Sequence, residues 1–333
     1  MRRGILLYIG GRFLQSLLVL WVIVTLLFLL FRLAPGNPVT AYIDSTFTAE
    51  QREATMARFG LDRPLHEQYV LYLGNILQGE LGRSFFYAKT VTQLIGEVLP
   101  NTLYMTFAAL ILAYVAGVLG GIVLASIRGR AAEKVGITFT LMTRAAPEFW
   151  VGMILLAIFA FQLRLLPSSG TSSPGTIYEN EVEKLLSPEF WRHMILPTVT
   201  LALYLHGLPL LLMRSNMLEI LDQDFITMGK LIGYSRWRLL VRHAARNAML
   251  PVLTALALGV GYSIGGNVVI ENVFGWPGIG RMLVRAVTAS DYPVAQGAFL
   301  VIAIIIVAMN FIADILYVLF DPRVGASAQA QRA

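Results

Sequence analysis

Six long apolar runs constrain this chain more than any other feature: Phe13–Phe31, Thr102–Ile127, Pro147–Leu163, Met194–Met213, Met249–Ile270 and Ala298–Phe320. An α-helix rises about 1.5 Å per residue, so roughly 20 apolar residues cross a hydrocarbon core of about 30 Å. Pro147–Leu163 is the short one and is expected to draw on residues 135–146. Charged residues make up only 14% of the chain, and the mean hydropathy is +0.67. A soluble domain carries about 25% charged residues, so lipid is the solvent for much of this chain. The expected fold class is all-α: a polytopic membrane protein with six transmembrane helices. Cysteine is absent, and His66, His193, His206 and His243 are scattered, so neither a disulfide framework nor a metal-ligand cluster is expected. The net charge of +6 suits anionic lipid headgroups and no nucleic acid.

Arg2, Arg3 and Arg12 ahead of the first run resemble the start of a signal peptide. The run is too long for one, and Phe31-Arg32-Leu33 is a poor cleavage site, so an uncleaved first span is expected. Lys and Arg outnumber acids in segments 1–12, 126–136, 214–250 and 321–333, whereas acids outnumber bases across 32–101, 164–193 and 271–297. By the positive-inside rule the first set is cytoplasmic, together with both termini.

The long loop after the first span reads as a small extracytoplasmic helical subdomain. Thr48 and Gln51 form a capping-box pattern, and Gly60 can stop the helix they open. Pro64 fits the first turn of a second helix, with Tyr69, Leu73, Ile76 and Leu77 on one face and Gly79 at its end. Gly79-Glu80-Leu81-Gly82 is a turn, and Val91–Val98 reads as a third short helix before Pro100. Such a subdomain can pack on its own spans, meet an external partner, or do both.

The inner loop 214–248 is long for a connection between two spans. Asp222 and Asp224 stand where helix N-caps belong, Phe225, Ile226, Met228 and Leu231 supply an apolar surface, and Gly233 is a natural stop. Ser235 can cap a second helix over 236–246, on which Arg238, Arg242 and Arg246 share a face. One reading is an amphipathic hairpin on the inner leaflet. The other is a short helix that plugs into a cytoplasmic motor subunit.

Several motifs now fall in order: Leu33-Ala34-Pro35-Gly36-Asn37-Pro38, Gly60-Leu61-Asp62-Arg63-Pro64-Leu65, Gly79-Glu80-Leu81-Gly82-Arg83-Ser84, Pro147-Glu148-Phe149-Trp150, Leu166-Pro167-Ser168-Ser169-Gly170, Glu271 to Gly280, Asp291-Tyr292-Pro293 and Asp321-Pro322-Arg323. Together they resemble the inner-membrane permeases of dipeptide and oligopeptide ABC importers. The resemblance implies a homologous second permease subunit, two ATP-binding cassette subunits that bind ATP and Mg, and an extracytoplasmic solute-binding protein. It also implies a bacterial inner membrane location and alternating access. The family includes importers of nickel and glutathione, so peptide is its commonest substrate class. In the family the inner loop carries the "EAA" motif, whose helix docks on the ATPase. Carried over to this chain, that coupling helix comprises Asp224, Phe225, Thr227, Met228, Gly229, Lys230 and Gly233. Thr227, Met228 and Gly229 replace the motif's Glu, Ala and Ala, and Ile232 stands where a Lys is usual.

No phosphate-binding loop G-x-x-x-x-G-K-[ST] occurs, nor any zincin pattern or nucleophile elbow. The chain is therefore expected to be a translocation subunit without catalysis or a cofactor of its own. An ion-gradient transporter would need ionisable groups deep in its spans, and the candidates are few: His206 in the fourth span, Asp314 in the sixth, and Glu148 and Glu271 at span ends. Asp314 reads as a packing residue, with Asn310 on its face. His206, Asn267 and Asn310 are the candidates for lining a pathway. Ala113, Gly117, Gly121 and Ala125 recur every four residues, as do Ala257, Gly261 and Gly265, a pattern for close helix packing. The expected organisation is residues 1–101 as first span plus outer subdomain, 102–320 as a five-helix core, and 321–333 as a cytoplasmic tail.

Overall fold

The computed structural model describes residues 2–33, 63–84, 86–87, 89–265 and 267–320. The expected helix opening at Thr48, the motif from Ala34 to Pro38 and the tail 321–333 lie outside them. The described chain is helical, with one isolated antiparallel bridge between Arg83 and Thr90. Three helices are long and apolar enough to cross a membrane, and two bent pairs pass the same test when each is taken as one span.

Helix α1 (Arg2–Leu33) packs on the last helix and little else. The short α2 (Leu65–Leu77) lies against it, with Phe28 meeting Tyr69 and Tyr72 at ring-centroid distances of 5.2 and 5.6 Å. Its inward face is Gln68, Tyr69, Tyr72, Leu73 and Ile76, while Leu77, expected on that face, is 87% exposed. Gly79 (φ 77°) and Gly82 (φ 89°) form the turn that follows.

Helix α3 (Val91–Ser126) replaces two expected elements. The third short outer helix and the second span are one continuous rod opened by a Thr90–Gln93 capping box. Pro100 inside it removes one backbone hydrogen bond, at a cost of about 3 kcal/mol. Burial of Val91, Leu94 and Ile95 against the C-terminal helices offsets this at roughly 1.5–3 kcal/mol per side chain.

Helix α4 (Ala131–Ala145) and α5 (Glu148–Leu155, continuing as a π-helical stretch Leu156–Gln162) meet at a 104° bend. Pro147 sits at that corner and disfavours helical geometry in Ala146, whose ψ is 137°. After the short α6 (Glu181–Leu186), α7 (Pro188–Leu205) and α8 (Gly207–Leu221) form the second pair, bent by 41° at His206. Then come α9 (Asp224–Leu231), a π-helical segment Arg238–Ala245, and α10 (Arg246–Gly265). Three further helices follow among the described residues: α11 (Val268–Val273), α12 (Ile279–Thr288) and α13 (Tyr292–Phe320).

The small-residue stripe on α3 is buried against α8. A Cβ on Gly117 would lie 2.8 Å from Pro209, and one on Gly121 would lie 2.7 Å from the Leu210 carbonyl oxygen. That close approach is what glycine permits between membrane helices. Val91 and Ile95 pack with Val294 and Ala298 at one end of the bundle, and Ile122 and Ala125 pack with Ile226 at the other. Helix α1 runs antiparallel to α13, with Phe31 near Tyr292 and Arg12 paired to Asp314 at 3.4 Å. Residues 12 and 314 therefore lie at the α9 end.

Candidate functional site

The α9 end is built around one buried residue. Ile226 is fully buried among Met213, Met217, Leu240 and Ala244, so the short helix is bolted to the core of α3, α8 and α10. Gly229 closes the same contact, since a Cβ there would lie 2.6 Å from the Leu239 Cδ2. The departure from the family's Ala at this position thus has a local cause: Leu239 occupies the space. The opposite face stays open. Phe225, Met228, Leu231 and Ile232 are 43, 58, 79 and 64% exposed, and Asp224, Thr227, Lys230 and Gly233 are exposed beside them.

The ends of α9 differ from expectation at one side only. Gln223 holds the N-cap position without a side-chain bond, Asp224 is the first helical residue, and Asp222 ends α8. Neither aspartate is the N-cap of α9. Asp224 still places its charge beside the helix N-terminus, where the dipole favours it. Gly233 terminates the helix with φ 88°. The Tyr234 amide donates to the Gly229 carbonyl at 3.0 Å and the Gly233 amide to Lys230 at 3.1 Å, the two bonds of a Schellman stop. Ser235 caps the next segment, accepting from the Arg238 amide at 3.3 Å. That segment is π-helical, yet Arg238, Arg242 and Arg246 all remain exposed.

Charged braces tie this end together. Arg214 of α8 donates to Glu133 of α4 at 2.5 and 2.8 Å, and the Gly129 amide donates to the other Glu133 oxygen at 2.6 Å. Arg128 pairs with Asp222 at 3.4 Å, and Arg236 donates to the Ser126 carbonyl. The connection 127–130 and the α9 loop are thus held as one unit.

At the opposite end stands Glu271, which in sequence follows the fifth apolar run and opens the motif that ends at Gly280. Its side chain is fully buried. Thr102 donates to Oε1 at 2.5 Å and the Arg281 amide to Oε2 at 2.8 Å. The strand of loop from Trp276 to Gly280 wraps the carboxyl, with Trp276 donating its indole N–H to the Asn101 carbonyl and Asn101 donating to the Pro277 carbonyl. Glu271 lies beyond α10, outside the spans, and burial pushes its carboxyl up to about 7 despite the three donors around it. The sequence signal was the spacing of Trp276, Gly278 and Gly280, but the partner Thr102 lies far away in the chain.

The polar candidates within the spans separate. His206 is buried at the α7–α8 bend, its Nδ1 2.7 Å from the Leu203 carbonyl oxygen. Asn267 is buried and donates to Thr106. Asn310 is exposed on α13, and Asp314 nearby is paired with Arg12. These residues do not form one site. Among the described residues no cluster of metal-ligating side chains exists.

Helices long and apolar enough to cross a membrane, and a short helix bolted to them by one side chain with its apolar face left open, are the architecture of a membrane transport subunit. Residues 117–326 match the family "Binding-protein-dependent transport system inner membrane component", and residues 5–106 match "Binding-prot-dependent transport system membrane comp, N-term". The chain belongs to this family of permeases. It is 37% identical over 320 residues to a putative peptide permease protein of Brucella ovis, covering 95% of this chain and 98% of that one. The same figures hold for the oligopeptide transport system permease protein AppB of Bacillus subtilis. The di/tripeptide transport system permease protein DppB of Pseudomonas aeruginosa is 37% identical over 316 residues, covering 90% and 94%. The inward-facing MetNI methionine ABC transporter shares the fold, with a TM-score of 0.51 at 14% identity over 69% of this chain and 97% of that one.

Proposed function

We propose that this chain is one permease half of an ATP-driven importer of di- and oligopeptides in a bacterial inner membrane. Its partners are a homologous second permease, two ATP-binding cassette subunits that carry ATP and Mg, and an extracytoplasmic solute-binding protein. Both termini and the α9 loop are cytoplasmic. The chain binds no nucleotide or cofactor itself.

One observation carries this reading. Helix α9 leaves Phe225, Met228 and Leu231 open while Ile226 on its other side is locked into the bundle. An apolar ridge that faces away from its own fold suits a groove on another subunit, and its rigid base suits transmission of movement. ATP binding would close the motor pair, and the plugs on the two permeases would re-aim the spans between outward and inward access.

The experiment is purification with and without the co-expressed neighbours, followed by ATPase and uptake assays in vesicles. The isolated chain should hydrolyse no ATP. The assembled complex should show peptide-stimulated hydrolysis that survives an uncoupler. Uptake that stops with the uncoupler at constant ATP would overturn the proposal.

A further inference from the structure

The two bent spans break at the same place. The stem of Arg144, at the end of α4, lies against Gly207, the first residue after the α7–α8 bend: a Cβ on Gly207 would sit 3.4 Å from the Arg144 Cδ. The depth of that place follows from helix lengths. At 1.5 Å per residue, the bend lies about 27 Å from the start of α7 and about 22 Å from the end of α8, near the middle of the span.

Two opposite charges flank the α4–α5 corner there, Arg144 before it and Glu148 after it. Glu148 stands one turn from Gly152, on which a Cβ would meet Phe274 at 3.1 Å and Thr200 at 3.4 Å. Its face of α5 is therefore the inward one, toward α7 and α11. Arg144 is exposed and Glu148 half-buried. Neither side chain has a hydrogen bond or ion pair with another described residue, although they are four positions apart and opposite in sign. The 104° corner separates two side chains that a straight helix would let pair. An unpaired charge at this depth in a membrane is costly, so both need water or a polar occupant. His206 cannot serve, because it is buried and engaged with the Leu203 carbonyl.

We propose that Arg144 and Glu148 form a binding site for a zwitterionic peptide in transit, Glu148 receiving the terminal ammonium and Arg144 the terminal carboxylate. The inference rests on the peptide reading above and adds the residues that recognise the two ends. A fixed cation and a fixed anion separated by a rigid corner select a ligand bearing both charges, while leaving the side chains between them unread.

The test uses the complete complex in vesicles with a free dipeptide, its N-acetyl form and its C-terminal amide. Each variant is compared with wild type on the same binding protein, so that protein's selectivity cancels. Glu148→Gln should lower uptake of the free dipeptide about tenfold relative to its N-acetyl form. Arg144→Gln should do the same relative to the amide. Equal losses on all three substrates, or loss of assembly without dependence on the peptide termini, would overturn the site and leave the peptide reading standing. Wild-type complex that moves no peptide would overturn both. The chain has no cysteine, which allows a second measurement. Arg144→Cys should be labelled in this chain by a water-soluble aminoethyl thiosulfonate, be protected by dipeptide, and regain carboxylate preference once the cation is restored. Absence of labelling in assembled complex would also refute the site.

Discussion

Two glycines need their missing side chain for different reasons, and the difference fixes what substitution should do. Gly278 has φ −111°, open to any residue, but a Cβ there would lie 2.1 Å from the Glu271 Oε1. Gly278→Ala should therefore push the loop off the buried carboxyl and cost about 3 kcal/mol, the upper end for overpacking, read as a lowered unfolding temperature in detergent. Gly233 has open space but φ 88°. Alanine there should cost about 1 kcal/mol and valine more. Gly233→Val should insert normally yet lose assembly or uncouple ATPase from uptake, and normal transport would remove α9 from the coupling role. Glu271 adds a pH dependence. Its folded value near 7 lies above the ordinary carboxylate value, so between pH 4.5 and 7 the folded protein holds a proton that the unfolded chain has released. Stability should fall as pH rises through that window, by about 3 kcal/mol in all, and level off above it. Glu271→Gln should flatten the profile, and an unchanged slope in that variant would assign the dependence elsewhere. The Gly233 conformation was legible from its place after an apolar helix. The Glu271 site was not, because its donors Thr102 and Arg281 come from separate elements and no local spacing joins them.

At the level of elements, α9 is a helix with one face spent and one face free. Phe225 belongs to the free face and Ile226 to the spent one, and adjacent positions on a helix point in different directions. Phe225→Asp should leave the fold and the unfolding temperature unchanged but abolish co-purification with the motor subunits or their stimulation, since it puts a charge in an apolar contact. Arg242→Glu is the control: its exposed side chain should tolerate reversal, with membrane-surface attachment weakened by about 1 kcal/mol or less. Equal effects of both changes would return the loop to an amphipathic hairpin on the leaflet. The element pattern shows where hydropathy stops being informative. It found the apolar spans, because lipid demands length and little else. It starts the second span's helix too late, at Thr102 and not Val91, since Pro100 looks like a boundary when the burial of Val91 and Ile95 is unseen. It also ran 135–163 together, because apolar residues continue through the 104° corner and only Ala146-Pro147 marks it.

At the scale of the whole molecule, the loops that carry most positive charge are physically joined. Arg236 bonds to the Ser126 carbonyl and Arg128 pairs with Asp222, so connection 127–130 and the α9 loop occupy one side whatever the orientation. Arg12 and Asp314 are paired at the same end. Two independent constraints therefore meet: packing holds these segments together, and their Lys and Arg content is what the positive-inside rule expects of a cytoplasmic side. Reporter fusions after Arg130 and after Arg238 should both score as cytoplasmic, and fusions within residues 48–79 as external. The pattern of failure is informative in each direction. Opposite scores at Arg130 and Arg238 would contradict the braces and hence the fold. Matching external scores would keep the fold, invert its placement in the membrane, and put the open face of α9 where no ATP-driven subunit could reach it.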